Sequence, residues 1–311
     1  MKWLFFPKKT NYYWIISTIF LSLPILMYGW SHFIRPHRSE TKQKLFPGIV
    51  YQRLIESNPR PVVIHTVTID LTTPKIKPVV TPSIENSINN TIDHETKART
   101  TVEFVQEFPV QLAINGSYFY PFSEVTPWSY YPHSGDKTNT VGQTIANGKI
   151  YARKKSNWYV LCFTNKSQAQ IPGGEECPKN TTQGIAGDDI LIFQNKPKNP
   201  ANFYNEKPYP RVVVATDKLG KKLWLILVDG KQPLYSEGMT KTELTQFLTK
   251  LGVYSAINLD GGGSTTLVVA NPENQGKPKV LNAPIHTKIP MRSRPVANHL
   301  GFYTDFYSKI E

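Results

Sequence analysis

The pattern of hydrophobic and polar residues changes soon after the start of the chain. Tyr12–Trp30 is a run of 19 residues without a charged side chain, with aromatic residues at both ends. As a helix this run would be about 28 Å long, close to the roughly 30 Å hydrocarbon layer of a bilayer. We predict an N-terminal membrane anchor over residues 1–31. A cleaved signal peptide is the alternative, although no small-x-small cleavage site follows the run.

The next segment, residues 32–47, is polar and charged, which is typical of a linker. Lys2, Lys8 and Lys9 precede the apolar run, and Arg35, His37 and Arg38 follow it. The positive-inside rule therefore favours a cytoplasmic N-terminus only mildly. We expect a globular domain over residues 48–311 on the non-cytoplasmic side of the membrane.

The pattern within that domain is mainly that of β-strands, with β-branched runs separated by turn residues. Asn147-Gly148 predicts a hairpin with a type I′ turn over Val141–Ala152. The segment Lys75–Pro82 is expected to pair with the strand in Pro61–Leu71. Further strands are predicted in residues 110–115, 184–196, 211–217, 221–230 and 254–260.

Two segments have the pattern of amphipathic helices, Arg99–Phe108 and Lys241–Leu251. Thr240 and Glu243 form a capping-box sequence at the start of the second helix, and Gly252 ends it. The predicted fold class is α+β: one strand-rich globular domain with a few helices, preceded by a transmembrane helix.

The net charge and the two cysteines limit which ligands and metal sites are plausible. The formal net charge of +13 suits anionic lipid or an anionic substrate. Nucleic acid is not expected, because no basic run is interleaved with aromatic residues. Cys162 and Cys177 are either a disulfide or two free thiols, and two thiols without a Cys/His cluster do not make a zinc site. No cofactor and no metal site are predicted; a metal requirement and the oligomeric state stay open.

Three predicted strands end in the same kind of dipeptide. These are Asn115-Gly116, Asp229-Gly230 and Asp260-Gly261. Each alone is an ordinary turn sequence. Together they indicate one crevice in which polar side chains meet a ligand.

The third of these dipeptides begins a glycine run, Gly261 to Gly263, followed by Ser264, Thr265 and Thr266. The run is neither a Walker loop nor a dinucleotide fingerprint. Successive backbone N–H groups and the hydroxyls could hold a phosphate, and a glycine-rich bulge is the alternative. Arg211 and Arg294, at the starts of two apolar segments, are candidate partners for that phosphate.

Several of these motifs, in the same order, resemble those of the phosphodiester glycosidase family, the NAGPA-like domains. The resemblance extends from about Pro61 to Tyr303 and is most specific in "DGGGST". The motifs are "AINGSYF" (Ala113–Phe119), "ANGKI" (Ala146–Ile150), "PRVVVA" (Pro210–Ala215), "LVDGK" (Leu227–Lys231), the stretch Gly238–Val269 and "RPVANHLGFY" (Arg294–Tyr303).

The resemblance implies hydrolysis of the bond between a sugar's anomeric carbon and a phosphodiester oxygen. Asp260 would be the base or nucleophile, and Asp229 would be the second carboxylate. The family commonly has arginine where this chain has Lys231, and a second glycine where it has Ser117. The expected substrate-binding residues are Asn115, Gly116, Arg211, Asn258, Gly261, Gly262, Gly263, Ser264, Thr265 and Arg294.

The expected function is a membrane-tethered hydrolase of sugar-1-phosphodiesters with a phosphorylated glycan as substrate, and envelope or extracellular polysaccharide metabolism is the expected setting. Two alternatives remain open. One is a glycan-binding module that keeps the crevice without turnover. The other is a metal-dependent phosphodiesterase that breaks the P–O bond.

Overall fold

The computed structural model describes residues 10–84, 95–198, 206–270 and 277–304. Its α-helices in these ranges are α1 Thr10–Phe33, α2 Thr101–Glu107 and α3 Lys241–Leu251. Both α2 and α3 begin with a capping box, made by Thr100 with Glu103 and by Thr240 with Glu243. Gly252 ends α3 in the left-handed conformation, with a φ of 74°. The predicted bounds and caps of α3 are therefore confirmed.

The strands are short and numerous. In chain order they are β1 Thr41–Phe46, β2 Ile49–Glu56, β3 Val62–Asp70, β4 Lys77–Val80, β5 Thr96–Lys97, β6 Leu112–Asn115, β7 Phe119–Tyr120, β8 Ser123–Glu124, β9 Tyr130–Tyr131, β10 Lys137–Thr140, β11 Thr144–Ala146, β12 Lys149–Ala152, β13 Tyr159–Thr164, β14 Ala169–Gln170, β15 Thr181–Gly187, β16 Asp189–Phe193, β17 Lys196–Pro197, β18 Arg211–Thr216, β19 Lys222–Val228, β20 Ser255–Asn258, β21 Leu267–Ala270, β22 Pro278–Val280, β23 Ile285–His286, β24 Ile289–Pro290 and β25 His299–Tyr303.

Three large sheets contain most of these strands. The first has eight strands in the order β1-β2-β3-β19-β18-β20-β16-β17. The second has five in the order β22-β21-β6-β25-β4, and the third has five in the order β12-β11-β15-β13-β14. The α+β, strand-rich fold class is confirmed.

The core lies between the eight-stranded sheet and the two five-stranded sheets. Along β19, Leu223, Leu225 and Leu227 face this main core, whereas Trp224 and Ile226 face the opposite side of the sheet, where α3 packs. The alternation follows the two-residue period of a strand, and here both faces are covered. Helix α2 packs on the outside of the second sheet.

Two details of the sequence prediction are wrong. Residues 75–82 do contain a strand, but β4 pairs with β25 and not with β3. The neighbours of β3 are β2 and β19, which supply longer complementary strands. The linker 32–47 is shorter than expected, because β1 adds to the edge of the first sheet and Phe46 is buried.

The hairpin at Val141–Ala152 is present as β11 and β12, and Asn147 and Gly148 have φ values of 51° and 77°. These positive values are those of the predicted type I′ turn. Cys162 and Cys177 form a disulfide between Cα atoms 5.7 Å apart. Of the two alternatives for these cysteines, the structure has the disulfide.

Helix α1 contains a segment, Ile15–Phe33, that is long and apolar enough to cross a membrane. A signal sequence near an N-terminus has the same length and composition. Its large side chains are mostly exposed, including Leu21, Trp30 and Phe33. A helix that packs inside a soluble core would bury such residues. The segment therefore has the character of a membrane span or a signal sequence.

Candidate active site

Asp260 lies two residues after the end of β20, where the first sheet meets the second. Its backbone N–H donates to the carbonyl of Gly116 at 3.2 Å, and its own carbonyl accepts from the side chain of Asn115 at 2.6 Å. Asn115 is the last residue of β6, in the second sheet. Two of the three strand ends singled out in the sequence are therefore in direct contact.

A cleft of about 270 Å³ opens at this junction. Its size is near the lower end of the range for small-molecule pockets. Five of its residues were expected from sequence: Arg211, Asn258, Asp260, Gly261 and Arg294. The others are aromatic and were missed: Tyr118, Phe119, Phe122 and Tyr209.

Burial raises the pKa of the Asp260 carboxyl from about 3.8 to about 6. A hydrogen bond from Ser264 and the charge of Arg294 oppose this effect, because both favour the ionised carboxylate. The nearby Asp188 carboxylate raises the pKa further. A carboxyl that titrates close to neutral pH can both accept and release a proton during a reaction.

Arg294 is held in place by three side chains. Its Nε atom donates to His286 Nδ1 and its Nη1 atom donates to Ser264 Oγ, each at 3.2 Å. Its Nη2 atom forms an ion pair with Glu124. Burial and the charge of Arg294 lower the pKa of His286 to about 4, so the imidazole is neutral and its Nδ1 atom is the acceptor.

Arg211 stands on the other side of the cleft, at the first position of β18. Its Nε atom donates to the carbonyl of Met239 at 3.1 Å, and its Nη2 atom pairs with Glu206. The second carboxylate oxygen of Glu206 accepts from the backbone N–H of Lys241 at 2.6 Å. Glu206 thus ties Arg211 to the N-terminus of α3. Sequence analysis missed this glutamate, which has no motif around it.

Asp188 is a second carboxylate beside Asp260, and sequence analysis also missed it. Tyr118 Oη donates to it at 3.1 Å and Asn258 Nδ2 donates at 2.8 Å. Burial raises the pKa of Asp188, and the neighbouring Lys241 cation partly offsets this. The available signal was that Asp188 directly follows the buried strand β15, although no glycine comes after it as at the other three strand ends.

Asn258 has one oxygen without a partner. Its Nδ2 atom donates to Asp188, but its Oδ1 atom is buried and has no hydrogen-bond partner among the described residues. Unpartnered buried polar atoms are rare and costly in proteins. Because Asn258 also lines the cleft, a donor from a bound ligand, such as a sugar hydroxyl, would satisfy it.

The glycine run after Asp260 forms a turn of 3-10 helix over Gly262–Ser264. Gly262 has a φ of 61°, and a Cβ atom on it would lie 2.8 Å from the ring of Tyr209. A Cβ atom on Gly263 would lie 2.4 Å from Nη2 of Arg294. The glycines therefore let the turn pack against a cleft tyrosine and against the guanidinium.

This turn corrects one expectation about the run. Its backbone N–H groups were expected to be available to a phosphate. Those of Gly262, Ser264 and Thr265 instead donate to carbonyls of Pro210, Gly261 and Gly262, at 2.9, 3.1 and 3.3 Å. Three N–H groups of the run are therefore already engaged, and the cations that line the cleft are Arg211 and Arg294.

Asp229 is not among the residues that line the cleft, contrary to the prediction that the three strand ends share it. Its side chain is fully buried and pairs with His65 Nε2 at 2.9 Å. It also accepts from Asn282 Nδ2 at 2.9 Å and from the backbone N–H of Ala283 at 3.1 Å. Asn282 Nδ2 donates to the carbonyl of Thr265 as well, so Asp229 supports the glycine turn from behind.

Three or more His, Cys, Asp or Glu side chains that lie close together could hold a metal ion. Within residues 10–84, 95–198, 206–270 and 277–304, no such group is close enough to hold an ion. The charged residues that line the cleft are Asp260, Arg211 and Arg294. Asp188 is not among the lining residues but contacts Tyr118 and Asn258, which are. A requirement for metal is therefore a question for experiment.

A model of the phosphodiester glycosidase family matches residues 109–303 of this chain. No curated protein matches the sequence at a significant level. Among solved structures, the catalytic domain of zebrafish N-acetylglucosamine-1-phosphodiester alpha-N-acetylglucosaminidase, auto-inhibited by its pro-peptide, has a TM-score of 0.56 and 18% identity, covering 88% of this chain and 92% of the zebrafish chain.

Two bacterial structures share the fold at similar distance. A hypothetical protein from Synechocystis has a TM-score of 0.55 and 14% identity; the match covers 86% of this chain and 64% of the Synechocystis chain. A protein from Burkholderia pseudomallei, described as exported, has a TM-score of 0.55 and 13% identity, covering 78% of this chain and 74% of its own.

Proposed function

We propose, since this chain belongs to the phosphodiester glycosidase family, that it hydrolyses the glycosidic bond of sugar-1-phosphodiesters. The observation that carries the proposal is the position of Asp260, which shares one cleft with the guanidinium groups of Arg211 and Arg294. Such a cleft can place a carboxylate at the anomeric carbon while the cations bind the phosphate next to it. The match to the family model confirms the resemblance seen in the sequence. The catalytic roles of these residues are our proposal.

In this reaction Asp260 acts at the anomeric carbon, either as the base that activates water or as the nucleophile. The bond between that carbon and the phosphate oxygen breaks, and the transition state has oxocarbenium character that a carboxylate stabilises. We assign the role of second carboxylate to Asp188 in place of Asp229. In this proposal Tyr118 and the free oxygen of Asn258, which line the cleft, bind sugar hydroxyls, and Asp188 acts through its hydrogen bonds to both residues.

The leaving group is a phosphate monoester, which is a stable anion. It needs positive charge more than it needs a proton, so a strong general acid is unnecessary. Arg294 is pre-oriented by His286 and Ser264 to meet this charge. The phosphate competes with Glu124 for Arg294 and with Glu206 for Arg211, and bidentate binding favours an oxyanion over a single carboxylate oxygen.

Tethering at a membrane is the second part of the proposal. Helix α1 supplies the span, and the disulfide between Cys162 and Cys177 suits an oxidising compartment outside the cytoplasm. The catalytic domain would then lie on the non-cytoplasmic side, where it meets envelope or extracellular polysaccharides. Protease digestion of intact cells tests this orientation. Labelling of a cysteine tag at each end of the chain, with a reagent that cannot cross the membrane, tests it as well.

The test of activity uses the full chain in detergent and methyl esters of hexose 1-phosphates and N-acetylhexosamine 1-phosphates. We expect release of free sugar and methyl phosphate, and loss of that release in Asp260→Asn. Asp70→Asn is the matched control, because Asp70 is exposed and pairs with Lys222 at the other end of the eight-stranded sheet. Tight binding of these esters without any turnover would instead indicate a glycan-binding module.

A further inference from the structure

A second cavity, of about 390 Å³, lies next to the Asp260 cleft and shares Arg294 with it. Its far wall is formed by Tyr28 and His32, which belong to the last turns of α1. The guanidinium group of Arg294 therefore lies between the candidate active site and the helix that we assign to the membrane.

A second contact joins the two cavities. Lys231 lines the cavity beside α1, and its Nζ atom bonds to the hydroxyl of Tyr209 at 2.7 Å. Tyr209 in turn lines the Asp260 cleft. A ligand that passes from one cavity to the other would meet Arg294 on one side and the Lys231–Tyr209 pair on the other. Both cations suit a phosphate at this crossing point.

The end of α1 is fixed against the domain by the turn that follows Lys231. Arg35, two residues past the helix, donates to Gln232 Oε1 at 3.2 Å and lies 4.5 Å from the ring centre of Tyr235. Tyr235 Oη donates to the carbonyl of Pro36 at 3.0 Å. These contacts hold the mouth of the second cavity at the level where α1 would leave the bilayer.

The surface around this mouth has the composition of a membrane-facing surface. Leu234, at the tip of the same turn, is 91% exposed, and Lys288 on the cavity wall is also exposed. The hairpin that contributes Glu124 to the cavity carries Val125 and Trp128 at its tip, 77% and 85% exposed. Exposed apolar and aromatic side chains beside lysines are typical of segments that enter a lipid interface.

From these contacts we infer that the substrate is a sugar joined through a phosphodiester to a membrane lipid. This inference rests on the proposed function. The sugar occupies the Asp260 cleft, the phosphate lies at Arg294, and the lipid chain leaves through the second cavity beside α1. Water oxygen bonds to the anomeric carbon, the bond to the phosphate oxygen breaks with its electron pair on that oxygen, and the proton from water leaves by way of Asp260. The products are the free sugar and a lipid monophosphate that stays in the membrane.

The test compares two esters of one sugar 1-phosphate, the sugar being the one that turns over fastest as a methyl ester. The full chain is reconstituted in vesicles that contain anionic phospholipid, with either the soluble methyl ester or the membrane-embedded hexadecyl ester. We expect kcat/KM for the hexadecyl ester to exceed that for the methyl ester by about tenfold or more, from burial of part of the chain. Equal values would overturn the inference while leaving the proposed function intact.

A faster rate on the hexadecyl ester has two explanations: a lipid-binding site on the protein, or the higher concentration of this ester in the vesicle membrane. Surface variants distinguish them. Leu234→Ser and Lys288→Glu should each lower the rate on the hexadecyl ester about tenfold and leave the methyl ester rate within about twofold. Leu219→Ser and Lys218→Glu are matched controls on the exposed turn between β18 and β19, at the far end of the sheet. If the two sets of variants behave alike, the inference is wrong. If neither ester is hydrolysed, the proposed function itself fails.

Discussion

The side-chain amide of Asn115 donates a 2.6 Å hydrogen bond to the backbone carbonyl of Asp260, 145 residues later in the chain. The carbonyl oxygen of the same side chain accepts from the backbone N–H of Thr266 at 3.1 Å. One buried asparagine therefore clamps both ends of the glycine turn. The orientation of the Asp260 carboxylate depends on this clamp.

Replacing the clamp should lower activity without removing any group that contacts substrate. In Asn115→Asp the carbonyl of Asp260 loses its donor and faces a carboxylate oxygen. We expect kcat/KM on a sugar-1-phosphodiester to fall about tenfold or more, with a loss of about 1–3 kcal/mol in unfolding free energy. Steady-state kinetics and urea unfolding measure both. Asn157→Asp, on an exposed turn, is the control and should change neither.

Gly263→Ala tests the contact between the glycine turn and Arg294. The added methyl group would lie 2.4 Å from Nη2 of Arg294, so the guanidinium must move. Because the phosphate is proposed to bind there, we expect an increase in KM of about tenfold, the effect of losing one charged hydrogen bond. Gly174→Ala is matched to it, since a methyl group on Gly174 meets nothing within 4 Å. Equal kinetics for the two variants would contradict the proposed phosphate site.

The sequence indicated an unusual turn here because glycine destabilises both strands and helices through its conformational entropy. Three glycines inside an apolar run require an explanation, and the structure supplies it in the close approach of Tyr209 and Arg294. What the sequence could not show is which N–H groups remain free. That depends on the 3-10 turn and on the carbonyl of Pro210, which lies just before β18 and far from the turn in sequence.

The pH dependence of activity should reflect Asp260. Its pKa is raised to about 6, and the ionised form is needed whether it acts as base or nucleophile. We expect kcat/KM to fall about tenfold per pH unit below that pKa. An acid limb near pH 4, the value of an ordinary aspartate, would show that Asp260 is not the group that titrates.

The same shift affects stability, with a defined sign. A carboxyl whose folded pKa is raised contributes stability below its unfolded pKa, and this is lost as pH rises through about 6. The stability of the wild type relative to Asp260→Asn should therefore fall by about 3 kcal/mol between pH 3.5 and pH 7. Thermal or urea unfolding of both proteins at the two pH values measures this. A constant difference would mean that Asp260 has an ordinary pKa.

Asp188 and Asp229 should respond differently to the same substitution. We expect Asp188→Asn to lower kcat about tenfold or more, because Tyr118 and Asn258 lose the carboxylate that orients them in the cleft, with a smaller loss of stability than in Asp229→Asn. Asp229→Asn breaks a buried pair with His65 and should cost about 3 kcal/mol of unfolding free energy. Melting temperature and kcat of both variants distinguish the roles. A stable, inactive Asp229→Asn would restore Asp229 as the catalytic carboxylate.

Asp229 was predicted to be the second carboxylate and Asp188 was not, which shows what the local sequence around an aspartate cannot predict. Both directly follow a buried strand, β15 for Asp188 and β19 for Asp229. The difference is made by distant residues: His65 and Asn282 enclose Asp229, whereas Asp188 contacts Tyr118 and Asn258, which line the cleft. Strand pairing has the same limit, since β4 pairs with β25 more than two hundred residues away. Helix α3, whose signals are all local, was predicted correctly.

The most direct test of the central claim is the fate of water oxygen. The full chain hydrolyses a sugar-1-phosphate methyl ester in water enriched in oxygen-18, and mass spectrometry of the methyl phosphate is compared with that of an Asp260→Asn reaction. We predict methyl phosphate without the label from the wild type, since the bond broken is between the anomeric carbon and oxygen, and no product from the variant. Label in the methyl phosphate, or undiminished turnover in Asp260→Asn, would contradict the account.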